Sequence, residues 1–270
     1  MLVQPPIDRR TFLADMGRGA FALAIVGLAG CGPSTLATFS PGPAATPAGS
    51  APDGATSRPT DAPGGSSPPA SAAGGSPAWT RVNLGFVSAY LLVRGGEAAL
   101  VDTGVAGSAG AIEASLADVG LGWDAVAHVV LTHHHNDHQG SLGEVIQRSP
   151  GATAYAGAED VPSITGASSV TAVGDGEEVF GLRIVTTPGH TAGSISVLDP
   201  MAGVLVVGDA LRVDGGKPGL PGAQFTADMD EAKRSIVKLG ALTFETLLPG
   251  HGDPIETGAA ALVAELGATG

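Results

Sequence analysis

A cluster of histidine and aspartate side chains in the stretch LTHHHNDHQG is the feature of this sequence with the clearest chemistry. The side chains are His133, His135, Asp137 and His138, and they directly follow the apolar residues 129–131. That order predicts a buried strand that delivers the cluster into a loop. Neutral imidazole and carboxylate are ligands that Zn²⁺ accepts. Alternation along a tight loop would turn the first two histidines to one side and the Asp-His pair to the other, so one segment could serve two metal ions.

Three more side chains of metal-binding type follow predicted strands elsewhere in the chain. His190, Asp209 and His251 each come after an apolar stretch and directly after a glycine. Because sites in open sheets form at strand ends, we expect these loops to meet the histidine loop at one edge. The preceding glycine is expected to let the backbone turn sharply and approach a bound ion.

Apolar periodicity predicts strands and helices from residue 79 onward. A β-hairpin is expected from strands over 82–93 and 97–102, followed by a helix over 108–119. The further predicted strands are 127–132, 153–156, 182–187, 194–198, 203–207 and 245–248, and the further predicted helices are 142–148, 229–239 and 259–266. Strands mixed with helices in this way indicate an α/β fold, in which sheets pack on each other and helices cover them outside.

Five short motifs in this chain occur in the order typical of one hydrolase family. They are VDTG at 101–104, THHHNDH at 132–138, TPGH at 187–190, VGD at 207–209 and LPGH at 248–251. With them, residues 79–270 resemble the metallo-β-lactamase-fold hydrolases. The resemblance implies an αββα sandwich, two mixed β-sheets flanked by helices, and a binuclear metal centre with two Zn²⁺ ions, for which iron is a possible substitute.

The resemblance also implies a role for each ligand position. The implied ligands are His133, His135 and His190 for one zinc, Asp137, His138 and His251 for the other, and Asp209 as a bridge between the two. Asp102 matches the family's early aspartate and would support the loop from behind the ligands. A hydroxide shared by the two ions would attack a carbonyl, and Asp137 would orient it as the catalytic residue.

The two remaining histidines and one tyrosine are not expected to bind a metal. His134 lies between two implied ligands, so its side chain should point away from the metals. His128 and Tyr155 fall in predicted strands, and we expect them to be structural.

The residue at position 209 limits the types of bond that the protein is expected to cleave. The β-lactam-cleaving branches typically carry cysteine or serine there, whereas Asp209 resembles the thioesterase and lactonase branches such as glyoxalase II. Glyoxalase II has a further helical region after its last ligand, and this chain ends at residue 270, which argues against glutathione specificity. The expected function is hydrolysis of an ester, thioester or lactone bond in a small molecule. A β-lactamase, an iron-dependent persulfide dioxygenase and a non-catalytic metal-binding lipoprotein stay open as alternatives.

Composition limits the partners and the folded length. The chain has 26 acidic against 13 basic residues and a formal net charge of −13, a surface that repels polyphosphate, so we expect no nucleic-acid partner. It also has 42 Gly and 20 Pro, many of them in residues 32–78. This stretch of Pro, Ala, Gly and Ser cannot bury enough apolar surface to order itself, and we predict a disordered linker there.

Residues 1–31 are predicted to form an export signal. The sequence RRTFL at 9–13 resembles a twin-arginine motif, and the apolar run 20–29 is too short to span a bilayer permanently. The segment ends in LAGC, which resembles a bacterial lipobox, and Cys31 is the one cysteine in the sequence. We therefore expect a lipidated Cys31 that tethers the protein to a membrane of the bacterial cell envelope.

Overall fold

The computed structural model describes residues 78–269. The predicted export signal with Cys31 lies outside the described residues, as does the predicted linker apart from its last position. At that position the first strand begins, one residue before the predicted start of the domain at residue 79. Within residues 78–269, no helix is long and apolar enough to cross a membrane.

The first sheet contains six strands that are hydrogen-bonded in chain order. They are β1 (Ala78–Asn83), β2 (Ser88–Arg94), β3 (Glu97–Val101), β4 (Val126–Val130), β5 (Thr153–Gly157) and β6 (Thr171–Val173). β1 to β3 pair antiparallel, and β3 to β6 pair parallel. The single strand predicted over 82–93 is wrong: the chain turns at Gly85, which has a φ of 91°, and returns as β2 alongside β1.

The second sheet contains five strands in the order β13-β10-β9-β8-β7. They are β7 (Glu178–Val179), β8 (Leu182–Thr186), β9 (Ile195–Asp199), β10 (Val204–Gly208) and β13 (Thr246–Pro249); β11 (Arg212–Asp214) and β12 (Lys217–Gly219) form a separate hairpin. β9 is antiparallel to β8 and β10, and β13 is parallel to β10. β8, β10 and β13 therefore run in one direction. The sequence did not predict β6, β7 or the hairpin, because strands of two or three residues carry too little periodicity.

Helices cover the outer faces of both sheets. The helices are α1 (Ala109–Asp118), α2 (Asn136–Gln139), α3 (Leu142–Arg148), α4 (Met229–Gly240) and α5 (Ala259–Thr269), and all except α2, which lies in the histidine loop and was not predicted, pack on a sheet. Ile112 of α1 and Val145 of α3 belong to the buried cluster on the first sheet. Ile236 of α4 and Val263 of α5 belong to the cluster on the second. These four predicted helices each bury apolar side chains against a sheet.

The central core lies between the two sheets. Leu92 and Val130 of the first sheet are buried in one cluster with Ile184 and Val206 of the second. Alternate strand residues thus face inward on each sheet and outward to the helices. The predicted αββα sandwich of two mixed sheets is confirmed.

Strand direction determines where the loops with the histidine and aspartate side chains lie. The carboxyl ends of β8, β10 and β13 share one edge of the second sheet, because these strands run in one direction. The loop after β4 joins them there, where the backbone N–H of Ile195 donates to the carbonyl of Thr132 at 2.8 Å. The four loops predicted to converge therefore do so.

Candidate metal centre

Seven side chains from these four loops meet at one end of the sandwich. They form three overlapping groups, in each of which the possible ligand atoms lie within 4.8 Å of one another. The first group is His133, His135 and His190, the second group is Asp137, His138 and His251, and a linking group of His133, His138 and Asp209 shares a residue with each of them. Every residue that the sequence analysis named as an implied ligand is in at least one group.

The first group consists of imidazoles in their neutral form. The Nε2 atom of His190 lies 2.9 Å from the Nδ1 atom of His135, and the rings of His133 and His190 meet edge to face. Burial lowers the pKa of all three side chains, and that of His190 to about 4. Neutral imidazole presents a lone pair, which is the form that binds a metal.

The second group combines a carboxylate with two histidines. The Oδ2 atom of Asp137 lies 3.3 Å from Nε2 of His251 and 3.8 Å from Nε2 of His138. The hydrogen bond from His251 holds the pKa of Asp137 below its ordinary value. Hydrogen bonds to Asp137 and Asp209 raise the pKa of His251 to about 10. Without a metal, this group is therefore a network of opposite charges.

Asp209 lies between the two groups and contacts both. Its Oδ2 atom is 3.5 Å from Nε2 of His190 and 3.2 Å from Nε2 of His251, and its Oδ1 atom is 3.3 Å from Nε2 of His138. Burial would raise the pKa of Asp209, but His138 and His251 outweigh it and hold that pKa well below the ordinary value. A carboxylate in this place can bind two ions at once.

Three buried polar atoms at the centre have no partner with hydrogen-bond geometry in the described part of the chain, although two of them, on His138 and Asp209, lie 3.3 Å apart. They are Nε2 of His133, Nε2 of His138 and Oδ1 of Asp209, which together make up the linking group. Buried polar atoms nearly always have a partner. Two imidazole nitrogens and a carboxylate oxygen left over in one place fit a bound metal ion, and histidine with carboxylate is a donor set that suits zinc.

Asp102 supports the histidine loop from behind. Its carboxylate accepts hydrogen bonds from the backbone N–H and the hydroxyl of Thr132, both at 2.8 Å, and its Oδ2 atom lies 2.8 Å from Nδ1 of His138. Burial alone would lower the pKa of His138, but Asp102 and Asp209 raise it well above the ordinary value. This geometry leaves Nε2 of His138 facing Asp209, and Asp102 stands where the resemblance implied.

Two further groups, which the sequence did not predict, orient the rings. The carbonyl oxygen of Phe86 lies 2.7 Å from Nδ1 of His251, so that nitrogen carries a proton that it donates to the carbonyl, and Nε2 faces the cluster. The hydroxyl of Thr226 lies 3.3 Å from Nδ1 of His190. A backbone carbonyl has no sequence signature, and Thr226 is distant from His190 along the chain, so neither could be found from motif spacing.

Two of the glycines that precede these side chains hold positive φ values, as the expected sharp turns require, and both pack tightly on other parts of the protein. Gly189, with a φ of 129°, packs against the backbone of Ala232, and Gly208, with a φ of 50°, packs against the side chain of Thr132. A side chain at either position would therefore collide with a neighbouring part of the protein. Gly250 differs, since a methyl group there would lie 2.5 Å from Oδ1 of Asp209.

A cleft of about 560 Å³ opens onto the second and first groups. Its apolar walls include Phe86 and Phe225, which are 64% and 65% exposed, together with the buried Leu211. Arg212 also lines it, and so does Asp137. The cleft thus offers apolar surface and one guanidinium close to the cluster.

The side chains that were not expected to bind a metal lie outside the three groups. The Nδ1 atom of His134 is 3.1 Å from the carboxylate of Asp160. His128 is in β4, with its ring 5.0 Å from that of Phe180 and 5.9 Å from that of Tyr155 in β5. None of these side chains belongs to a group that could hold a metal.

Comparison with known proteins identifies the family. Residues 82–251 match the metallo-beta-lactamase superfamily, and the chain belongs to that superfamily. The matched stretch begins in β1 and ends at His251, so it contains all the side chains of the cluster. The resemblance described from the motifs is confirmed.

Individual proteins are similar to this chain over much of its length. The uncharacterized protein YobT of Bacillus subtilis (strain 168) is 30% identical over 196 residues, which are 62% of this chain and 83% of that protein. A hydroxyacylglutathione hydrolase of Erwinia tasmaniensis is 36% identical over 122 residues, which are 44% of this chain and 45% of that enzyme. The crystal structure of the metallo-beta-lactamase family protein TTHA1429 from Thermus thermophilus superposes with a TM-score of 0.58 at 28% identity, covering 72% of this chain and 78% of that one.

Proposed function

We propose that this protein is a metal-dependent hydrolase that binds two zinc ions and cleaves an ester, thioester or lactone bond in a small molecule. The observation that carries the proposal is the position of Asp209, whose carboxylate contacts histidines of two separate groups. The proposed ligands are His133, His135 and His190 for one ion, Asp137, His138 and His251 for the other, and Asp209 for both. Iron accepts the same donors, so metal identity is part of the test.

The bound ions would supply the electrophilic chemistry, by lowering the pKa of a water molecule to roughly 7 and by polarising a carbonyl. The protein's own side chains would position the reactants. Asp137 stays ionised at neutral pH and lines the cleft with 29% of its side chain exposed, so it can accept a hydrogen bond from the attacking water. Phe86 and Phe225 would pack on the substrate and exclude bulk water from the site.

The lining of the cleft supports a small substrate with an apolar acyl part. Arg212 could in addition contact an anionic group on such a molecule. The relatives named hydroxyacylglutathione hydrolases favour a thioester as the bond. This chain covers 45% of the Erwinia tasmaniensis enzyme, about half of its length, so the proposal extends to the type of bond and not to glutathione.

The test is hydrolysis by the full chain loaded with zinc, assayed on thioesters, esters, lactones and β-lactams. We expect turnover of one of the first three classes that stops with a chelator and in the Asp209→Ala variant. Turnover of β-lactams alone would contradict the proposed substrate class. Metal uptake with no turnover would favour a binding protein, and oxygen consumption with a persulfide by the iron-loaded chain would favour a dioxygenase.

We also propose that the protein is exported and tethered to the bacterial cell envelope through a lipid on Cys31. The support is the sequence of residues 1–31, with its twin-arginine-like and lipobox-like motifs. In Cys31→Ala, the protein should leave the membrane fraction or fail to mature. A variant that stays in the membrane fraction would contradict this anchor.

A further inference from the structure

Asp160 is a buried carboxylate that connects two of the loops at the metal centre. It follows β5 and is 1% exposed. Its Oδ2 atom accepts hydrogen bonds from the backbone N–H of His134 at 2.9 Å and from the hydroxyl of Thr191 at 2.7 Å. Its Oδ1 atom accepts one from the backbone N–H of Gly193 at 2.9 Å. The same Oδ2 atom lies 3.1 Å from Nδ1 of His134.

These contacts reach both segments that supply the first histidine group. His134 lies between His133 and His135 in the chain, and Thr191 is the neighbour of His190. One carboxylate therefore sets the distance between the pair of histidines after β4 and the single histidine after β8. No contact of Asp160 reaches the second group, which depends on Asp102 and on the carbonyl of Phe86 instead.

Both backbone polar groups of His134 are hydrogen-bonded. Asp160 accepts from its N–H, and the Nε2 atom of Gln139 donates to its carbonyl oxygen. Gln139 is itself fixed, because its Oε1 atom accepts from the backbone N–H of Thr165 at 2.7 Å. With both polar groups bound, the backbone between the two flanking histidines has a single orientation.

The surrounding chain is shaped to receive this carboxylate. Gly193 packs so closely that a methyl group there would lie 2.7 Å from Oδ1 of Asp160. Among the described residues, no Lys or Arg lies within ion-pair distance of Asp160. Burying a carboxylate is costly unless hydrogen bonds compensate it, and here three donors do so.

We propose that Asp160 is a positioning residue for the ion held by His133, His135 and His190. It presets the geometry of that group, so that the three imidazoles meet a metal without rearrangement of the two loops. The inference rests on the proposed metal centre, and it assigns Asp160 to one of the two ions only.

The test compares Asp160→Asn with a matched control, Asp199→Asn. Asn is nearly the same size as Asp, but its amide N–H is a donor. It would face the backbone N–H of either Gly193 or His134, so one hydrogen bond would be lost. Asp199 is equally buried and also accepts backbone N–H groups, from Met201 at 3.0 Å and Ala202 at 3.1 Å, and unlike Asp160 it has an ion pair with Arg94 at 2.6 Å. It ends β9, whereas the metal centre lies near the start of that strand.

Each metal-free full chain would be titrated with Co²⁺, while visible absorption and metal stoichiometry are recorded, and thermal unfolding would be measured in parallel. In Asp160→Asn we expect the affinity for one of the two ions to fall about 10- to 100-fold, and the other to stay unchanged. The spectrum that remains should match that of His190→Ala. Asp199→Asn should lose thermal stability but keep both affinities.

Two results would overturn the proposal: wild-type affinities in Asp160→Asn, or an equal loss at both ions that Asp199→Asn reproduces. If Asp160→Asn does not fold, Thr191→Val removes one of the three hydrogen bonds with little change of shape, and unchanged affinities there would also overturn it. A wild-type chain that takes up no metal would overturn both proposals. Metal uptake without hydrolysis of any substrate would overturn the proposed function alone.

Discussion

The Oδ2 atom of Asp102 lies 2.8 Å from the Nδ1 atom of His138, and both side chains are buried. Asp102 holds a φ of 61°, in the left-handed region that non-glycine residues seldom adopt. Its backbone follows β3, and His138 belongs to α2, so the contact joins the first sheet to the histidine loop. A strained backbone conformation is maintained here by the hydrogen bonds that the carboxylate makes.

Asp102→Asn should weaken metal binding at the second group. An amide can replace the shape of the carboxylate, but its N–H would face a hydrogen-bond donor, either on Thr132 or on His138. We expect about 10- to 100-fold lower affinity for one ion, measured by competition with a zinc chelator. Asp118→Asn on the exposed side of α1 is the control and should bind as the wild type does. Equal affinities in the two variants would contradict the role of Asp102.

Gly250→Ala should disturb the centre through space alone. The added methyl group would lie 2.5 Å from Oδ1 of Asp209 and 2.7 Å from Cε1 of His138, so one of these side chains must move. We expect about tenfold or greater loss of metal affinity. Gly151→Ala is the matched control, because nothing lies within 4 Å of its added methyl group. If both variants bind metal equally well, the cluster is looser than its distances indicate.

The pH dependence of stability should differ between the metal-free and metal-loaded protein. Hydrogen bonds to Asp137 and Asp209 raise the pKa of His251 to about 10 in the folded chain, from roughly 6.5 when unfolded. Its contribution to the free energy of unfolding is fully present below pH ~6.5 and is lost as the pH rises toward 10.

The Tm of the metal-free chain should therefore fall between about pH 7 and 10. With zinc bound, the imidazole is already deprotonated, so this part of the fall should disappear. Thermal scans at several pH values would measure both curves. A His251→Gln variant, metal-free, should lose part of the slope; the same slope as in the wild type would assign the effect to other groups.

The side chains that meet at the candidate metal centre could be located from the sequence because they obey simple rules. Each follows an apolar strand, and strands that run in one direction place their ends at one edge. His190 and His251 lie far apart in the chain, yet this rule and the motif order together predicted that they lie at one site. The sandwich itself was predictable for a similar reason, since apolar periodicity marks most of the elements that build it.

The groups that orient the ligands could not be predicted in the same way. Phe86 acts through its carbonyl oxygen, a group that every residue has. It lies in the turn between β1 and β2, which the apolar pattern of 82–93 had concealed inside one strand. Asp160 is different: it follows the end of β5, so the strand-end rule could have found it, but no neighbouring histidine or motif marked it.

The outer wall of the cleft should determine affinity for the substrate without affecting the metals. Phe225 is 65% exposed and lines the cleft, and it makes no ring contact with a histidine. The ring of Phe86, in contrast, stacks on His251 with centroids 5.9 Å apart. Removing the Phe225 ring should therefore change only what the substrate packs against.

For Phe225→Ala we expect KM to rise about 3- to 10-fold for substrates with an apolar acyl group, because part of the apolar surface buried on binding is lost. The value of kcat and the metal content should stay unchanged. Met201→Ala is the control, since Met201 is as exposed, at 74%, and does not line the cleft. Steady-state kinetics with a short and a long acyl chain would separate the outcomes. A fall in kcat with KM unchanged would mean that Phe225 acts on the reaction step, and an equal effect on both chain lengths would remove it from the acyl-binding wall.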